Sequence, residues 1–224
     1  MAKVKIGNVF PPDAYLLQRC APAGFGIGQT KTKELTTADD LDIVKKSGWY
    51  RWGEQPPTNA PAFANDSNKY TAMRVDGCDE KNFKQTLISL FGNGYNLEIT
   101  RQIQDGVYGE WEWPNPPMIK NTEYRTTERW NGLPVYAQMI RLESMPNASQ
   151  VVTAHGIEGI AYVLEAKGVA VNKSTNIGFP FPCRGKDDTV GTVELYADPT
   201  NIVVTTTKDM TNNFGHVALK YIKG

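Results

Sequence analysis

The chain has no apolar run approaching the roughly 20 residues that a membrane-spanning helix needs, so no segment reads as a bilayer span. It has no excess of charge of either sign, with 24 Lys+Arg against 24 Asp+Glu and a formal net charge of zero. That balance argues against the basic footprint of a nucleic-acid binder and against electrostatic docking on an anionic membrane. The opening stretch MAKVKIGNVFPPDAY lacks the apolar core of a secretory signal. Cysteine is scarce: Cys20, Cys78 and Cys183 are an odd number without C-x-x-C spacing. At least one thiol therefore has no internal partner, which fits buried free cysteines made in a reducing compartment.

The residues that carry chemistry are equally sparse. His155 and His216 are the two histidines, far apart and without a cysteine or carboxylate cluster at metal spacing, so no zinc site is expected. No G-x-S-x-G occurs to place a serine nucleophile. Cys183 sits beside Arg184, which favours a thiolate, but no histidine is placed to serve it. The glycines at 24, 26 and 28 follow G-x-G-x-G, not G-x-G-x-x-G, and no clear strand precedes them, so they read as a connector, not a phosphate cradle. The expectation is no catalytic residue, no metal and no cofactor.

What is present is β-forming. Glycine (20) and proline (14) punctuate short runs rich in Val, Ile, Thr and Tyr. Strands are expected over 49–52, 70–75, 83–91, 95–103 and 109–113, with turns at Asp76-Gly77, Gly92-Asn93-Gly94 and Asp105-Gly106. One short helix is expected over 36–48. Thr37 would cap it, Asp39, Asp40 and Asp42 would face the positive end of its dipole, Lys45 and Lys46 the negative end, and Gly48 would close it. Pro114, Pro116 and Pro117 then read as a stiff joint between two units. Beyond them strands resume over 124–130, 135–142, 150–153, 159–171, 177–181, 190–196, 202–207 and 217–222, with the Asn131-Gly132 pair as the strongest hairpin turn. The pattern predicts a mainly β chain: a small mixed β unit with one short helix, then an antiparallel β-sandwich of jelly-roll type.

The first unit carries a dense set of aromatics: Trp49, Tyr50, Trp52, Tyr108, Trp111 and Trp113. On an alternating strand half would point outward, and outward rings can stack on the apolar faces of sugars. Tyr108, Trp111 and Trp113 are the candidate ligand-binding residues. Glu110 and Glu112 flank Trp111 on one strand face. A pair of carboxylates is what glycoside hydrolysis needs, although at i and i+2 a solvated face is the plainer reading.

Taken in order, Ala21-Pro22-Ala23-Gly24-Phe25-Gly26-Ile27-Gly28, Asp39-Asp40-Leu41-Asp42, Ser47-Gly48-Trp49-Tyr50-Arg51-Trp52, Asn59-Ala60-Pro61, Ile99-Thr100-Arg101-Gln102-Ile103 and Tyr108-Gly109-Glu110-Trp111-Glu112-Trp113 form a series. The series resembles the pyocin knob domain of phage tail fibres and phage-derived bacteriocins, over about residues 20–114. The departure from the family pattern is the closing pair of tryptophans, at i and i+2. The stretches 124–136, 142–157 and 215–221 look like the C-terminal regions of phage and prophage tail proteins. The resemblance implies an attachment or connector segment at 1–30, a knob at 31–114 and a distal β head at 118–224. It further implies a homotrimeric virion fibre protein, made in the cytoplasm of a bacterial host, that joins other virion proteins through its N-terminal segment. Such a protein would adhere to a host surface glycan or other receptor. A head fibre attached to the capsid and a small glycan depolymerase are the alternatives.

Overall fold

In a computed structural model the protein is described at residues 32–61, 70–90, 97–184 and 191–224. The 1–30 connector with its glycines and Cys20, and the Gly92-Asn93-Gly94 turn, lie outside the described residues. The chain divides into two units, Met1–Glu112 and Trp113–Gly224.

The first unit is built on one six-stranded sheet in sequential order: β1 (Lys33–Glu34), β2 (Gly48–Trp52), β3 (Thr71–Gly77), β4 (Phe83–Ser89), β5 (Glu98–Gln104) and β6 (Val107–Tyr108). The β1–β2 pair is parallel and the other pairs are antiparallel. Residues directly opposite one another share a face, so register turns the sequence pattern into rows. Tyr50, Met73, Leu87 and Ile99 form one row across four strands, and all are buried. The next row is Gly48, Val75, Gln85 and Arg101, on the same face. Two of its members are polar and still buried. Leu35, Leu41 and Val44 are buried too and come from the loop before β2.

That loop is where the expected helix falls, and the structure corrects the expectation. Only Leu41–Ile43 is helical, as a single 3₁₀ turn, and its N-cap is Asp40, not Thr37. Asp40 Oδ1 accepts from the Asp42 N–H, while Thr36 and Asp39 close a separate turn upstream. A helix there would have only Leu41 and Val44 to bury. The backbone instead leaves the helical region at Val44, with ψ of 89°. Leu41 O accepts from the Val44 N–H of its own turn at 3.3 Å, and the Gln85 amide adds a donor from outside, to Leu41 O at 2.8 Å and to Val44 O at 2.9 Å.

Two hairpins form where the sequence signals them. Asp105 and Gly106 both adopt positive φ, 52° and 82°, between β5 and β6. Asn131 and Gly132 do the same, 48° and 81°, in the second unit. Both positions positive is the type I′ requirement, which Asn-Gly and Asp-Gly meet at least strain.

The second unit holds two antiparallel sheets. Its strands are β7 (Glu123–Trp130), β8 (Leu133–Leu142), β9 (Gln150–Ala154), β10 (Ile160–Asn172), β11 (Gly178–Phe181), β12 (Cys183–Arg184), β13 (Thr192–Ala197), β14 (Asn201–Thr206) and β15 (Asn213–Lys223). One sheet has five strands in the order β11-β10-β15-β8-β7, the other four in the order β12-β13-β14-β9. One apolar core draws on both, with Ile140, Ala170, Phe181, Val217, Leu219 and Tyr221 from the first and Val193, Ile202 and Val204 from the second. The centre of the fold is β15, in which every second residue from Asn213 to Tyr221 is buried. Gly168 on β10 faces Phe181 on β11, and the ring occupies the space a side chain at 168 would need, with an added Cβ falling 2.3 Å from it.

Candidate functional site

Arg101 is the hub of the first unit. Gln85 lies beside it in register, and Arg101 Nε donates to Gln85 Oε1 at 2.8 Å. Its Nη2 donates to Asp42 Oδ1 at 2.6 Å, across 59 positions of sequence. Its guanidinium carbon lies 4.7 Å from the Tyr108 ring centroid and 4.5 Å from that of Trp111. A planar cation between two aromatic faces, bonded at its edge to a carboxylate and an amide, is the arrangement arginine suits and lysine does not. Asn59 adds a further tie, donating to Asp40 Oδ1 at 2.8 Å and to Asp42 Oδ2 at 3.2 Å. The Tyr108 hydroxyl donates to the Asp42 carbonyl. Burial, with the Asp42 charge beside it, pushes the Tyr108 pKa above the ordinary tyrosine value, offset in part by Arg101.

Trp111 reaches Arg101 through a local irregularity. Gly109 N–H bonds to Gln102 O, and Glu112 exchanges two backbone hydrogen bonds with Thr100. Residues 110 and 111 therefore stand opposite Arg101 alone, which is a bulge. An added Cβ at Gly109 would lie 2.9 Å from the Gln102 carbonyl oxygen, so glycine permits the close approach that starts it. Trp111 and Tyr108 are brought together around Arg101; Trp113 is not. The expected strand 109–113 is no single strand: Glu112 pairs with Thr100, whereas Trp113 pairs with Thr126 of the second unit. There Trp113 is 8% exposed and meets the Tyr124 ring edge-on at 5.4 Å. The i, i+2 relation fails because a bulge precedes the pair and the chain changes partner between 112 and 113. Glu110 is exposed and Glu112 half-buried.

His155 is buried, with Nδ1 accepting from the Ile157 N–H at 3.1 Å and Nε2 lying 3.2 Å from the Asp198 carbonyl oxygen. His216 lies edge-on to Phe214 at 5.3 Å, and Phe214 in turn faces the Arg141 guanidinium at 4.6 Å. Burial, then the charges of Arg141 and Lys120, hold the His216 pKa below the ordinary histidine value, with Glu143 opposing. Cys78 is exposed and Cys183 half-buried; both are free thiols. Among the described residues no group of three or more His, Cys, Asp or Glu is placed to hold a metal ion, and no helix is long and apolar enough to cross a membrane.

Two surface features of the second unit went unseen in the sequence. Trp130 and Leu133 flank the Asn131-Gly132 turn and are 52% and 48% exposed. A cleft of about 270 Å³ has Ala137 and Ala218 of the five-stranded sheet and Pro114, Pro116 and Met118 of the preceding segment in its wall. The prolines signalled only a stiff stretch, and nothing local says which surface such a stretch covers.

No family model matches the chain, and no curated protein matches it. Among solved structures it is similar to pyocin tail fibres. An N-truncated R2-type pyocin tail fibre is 12% identical with a TM-score of 0.29, over 84% of this chain and 96% of that one. The C-terminal part of the P. aeruginosa R2 pyocin fibre is 12% identical with a TM-score of 0.31, over 88% of this chain and 68% of that one. The corresponding part of the P. aeruginosa R1 pyocin fibre is 11% identical with a TM-score of 0.31, over 88% and 69%.

Proposed function

We propose that the chain is a virion fibre protein of phage type that adheres to a host surface, with a knob-like first unit and a distal β head. It acts as a homotrimer, is made in the bacterial cytoplasm, and joins other virion proteins through residues 1–30. One observation carries the reading. The short motifs that resemble the pyocin knob are scattered over 70 positions in sequence, from Asp42 to Trp111, yet they supply one interlocked set of side chains: Asp42, Asn59, Arg101, Tyr108 and Trp111. Unrelated matches have no reason to converge on a common hub. Arg101 is bound up in that set, so the set itself is a scaffold, and adhesion falls to surfaces that the scaffold supports.

The test is adsorption of the purified chain to a panel of bacterial cells, with light scattering for its mass. A trimeric mass together with saturable adsorption supports the reading. A monomer that adsorbs to no cell type in the panel refutes it. Oligosaccharide released from capsule, and lost in Glu110→Gln, would move the chain to the depolymerase class.

A further inference from the structure

The cleft in the second unit has two chemically distinct parts. Its floor is mostly hydrocarbon: Ala137 and Ala218 on the sheet and Pro114, Pro116 and Met118 from the preceding segment, with Asn115 and Thr126 as the polar, uncharged members of the lining. Its rim is ionic and alternates in sign. Lys220 Nζ lies 2.6 Å from Glu128 Oε1 and 3.9 Å from Glu165 Oε2, and Lys167 Nζ lies 3.0 Å from Glu165 Oε1. The four side chains are partly solvated, from 33% exposed at Lys220 to 63% at Lys167.

We propose that this cleft binds one neutral pyranose ring, so that it is the glycan-reading site of the adhesion protein proposed above, on which the glycan's role rests. Three observations select that ligand. First, the rim sums to zero charge, which gives a charged ligand nothing to gain. Second, its ions are already paired with one another at 2.6 and 3.0 Å, so a zwitterion would have to break those pairs to bind. Hydroxyl groups need not break them, because a paired carboxylate keeps lone pairs and a paired ammonium keeps donors. A ring with an apolar C–H face and a belt of hydroxyls matches floor and rim together. Third, about 270 Å³ falls below the roughly 300–1,000 Å³ of sites that engulf drug-sized ligands, so one ring enters and the rest of a glycan stays outside. The solvated rim makes single-ring binding weak, and adhesion then needs several copies acting together.

The experiment uses the full chain and four neutral sugars, glucose, galactose, mannose and N-acetylglucosamine, with glycine as a zwitterionic control. Titration is followed by amide chemical shifts. The expected result is saturable shifts at Thr126, Ala137 and Ala218 with at least one sugar and none with glycine. Ala218→Leu fills the floor beside Lys167, its register partner on β10, and should weaken that sugar roughly tenfold or more. Glu165→Gln, on the solvated rim, gives a second variant should the first fail to fold, and should also weaken it. No shift at the cleft with any of the four sugars, or equal shifts with glycine, overturns the proposal. Adsorption to cells separates the two readings. Wild type that adsorbs while Ala218→Leu adsorbs equally well removes the cleft and leaves the adhesion reading standing. Wild type that binds a sugar in the cleft but adsorbs to no cell leaves the site standing and removes adhesion.

Discussion

Replacing Arg101 with methionine keeps most of the aliphatic stem and removes the guanidinium. The change deletes the 2.8 Å bond to Gln85 and the 2.6 Å bond to Asp42, together with both ring contacts. Hydrogen bonds involving a charged group contribute about 1.5–3 kcal/mol each, and breaking a fully buried ion pair costs about 3–5 kcal/mol. The two partners left behind fare differently. Asp42 is 39% exposed at its side chain and can rehydrate, whereas Gln85 is fully buried and cannot. The loss should therefore sit near the low end of the buried-pair range, about 3 kcal/mol. For a domain of this size that lowers a thermal midpoint by more than about 10 °C. Amide exchange in β4 and β5 at low urea isolates the first unit and gives the free energy directly. A cycle with Asp42→Asn reads the pair itself, with a coupling of about 1–2 kcal/mol expected for a half-solvated partner. A loss below about 1 kcal/mol, or a coupling of zero, would refute Arg101 as the hub.

Two further outcomes follow from other parts of the fold. His216 has its folded pKa lowered, so the unfolded chain takes up the proton first as pH falls; this group's contribution to the stability of the second unit is full above about pH 6.5 and declines below it. Urea midpoints measured between about pH 7 and pH 5 should fall in the wild type and flatten in His216→Gln, and an unchanged slope would exclude this group. Gly168→Ala should destabilise the second unit by about 1–3 kcal/mol in equilibrium unfolding, because the Phe181 ring must leave the place where the methyl group falls. A neutral result would mean that β10 and β11 part with little resistance.

Local signals were legible and long-range ones were not. Asp105-Gly106 and Asn131-Gly132 are readable because turn conformation depends on two adjacent residues. The strand alternation is readable for a similar reason: each buried row repeats every second residue. The expected helix at 36–48 does not form although its capping and dipole signals are present, because the hydrogen bonds that fix the loop come from Gln85, more than 40 positions away. Period 2 sets Gln85 between the inward Phe83 and Leu87 and Arg101 between the inward Ile99 and Ile103; what the pattern does not show is that two polar side chains tolerate burial there because each bonds the other. Ring type on an alternating strand marks Tyr108, Trp111 and Trp113 alike, but the contact that joins the first two is a cation from another strand, and the alternation that would add Trp113 holds only along an unbroken strand.

The Gln85 amide has a consequence for how this chain can change over time. The course of the 41–44 loop is written at position 85, outside the loop, in a side chain that grips two main-chain oxygens whatever residues carry them. Within the loop the exposed Ile43 can then drift without altering the path of the backbone, whereas Leu41 and Val44 stay buried and Asp42 stays tied to Arg101. A relative of this protein would be better sought by a glutamine and an arginine facing each other on neighbouring strands, with an upstream aspartate to meet the arginine, than by the full spelling of the loop.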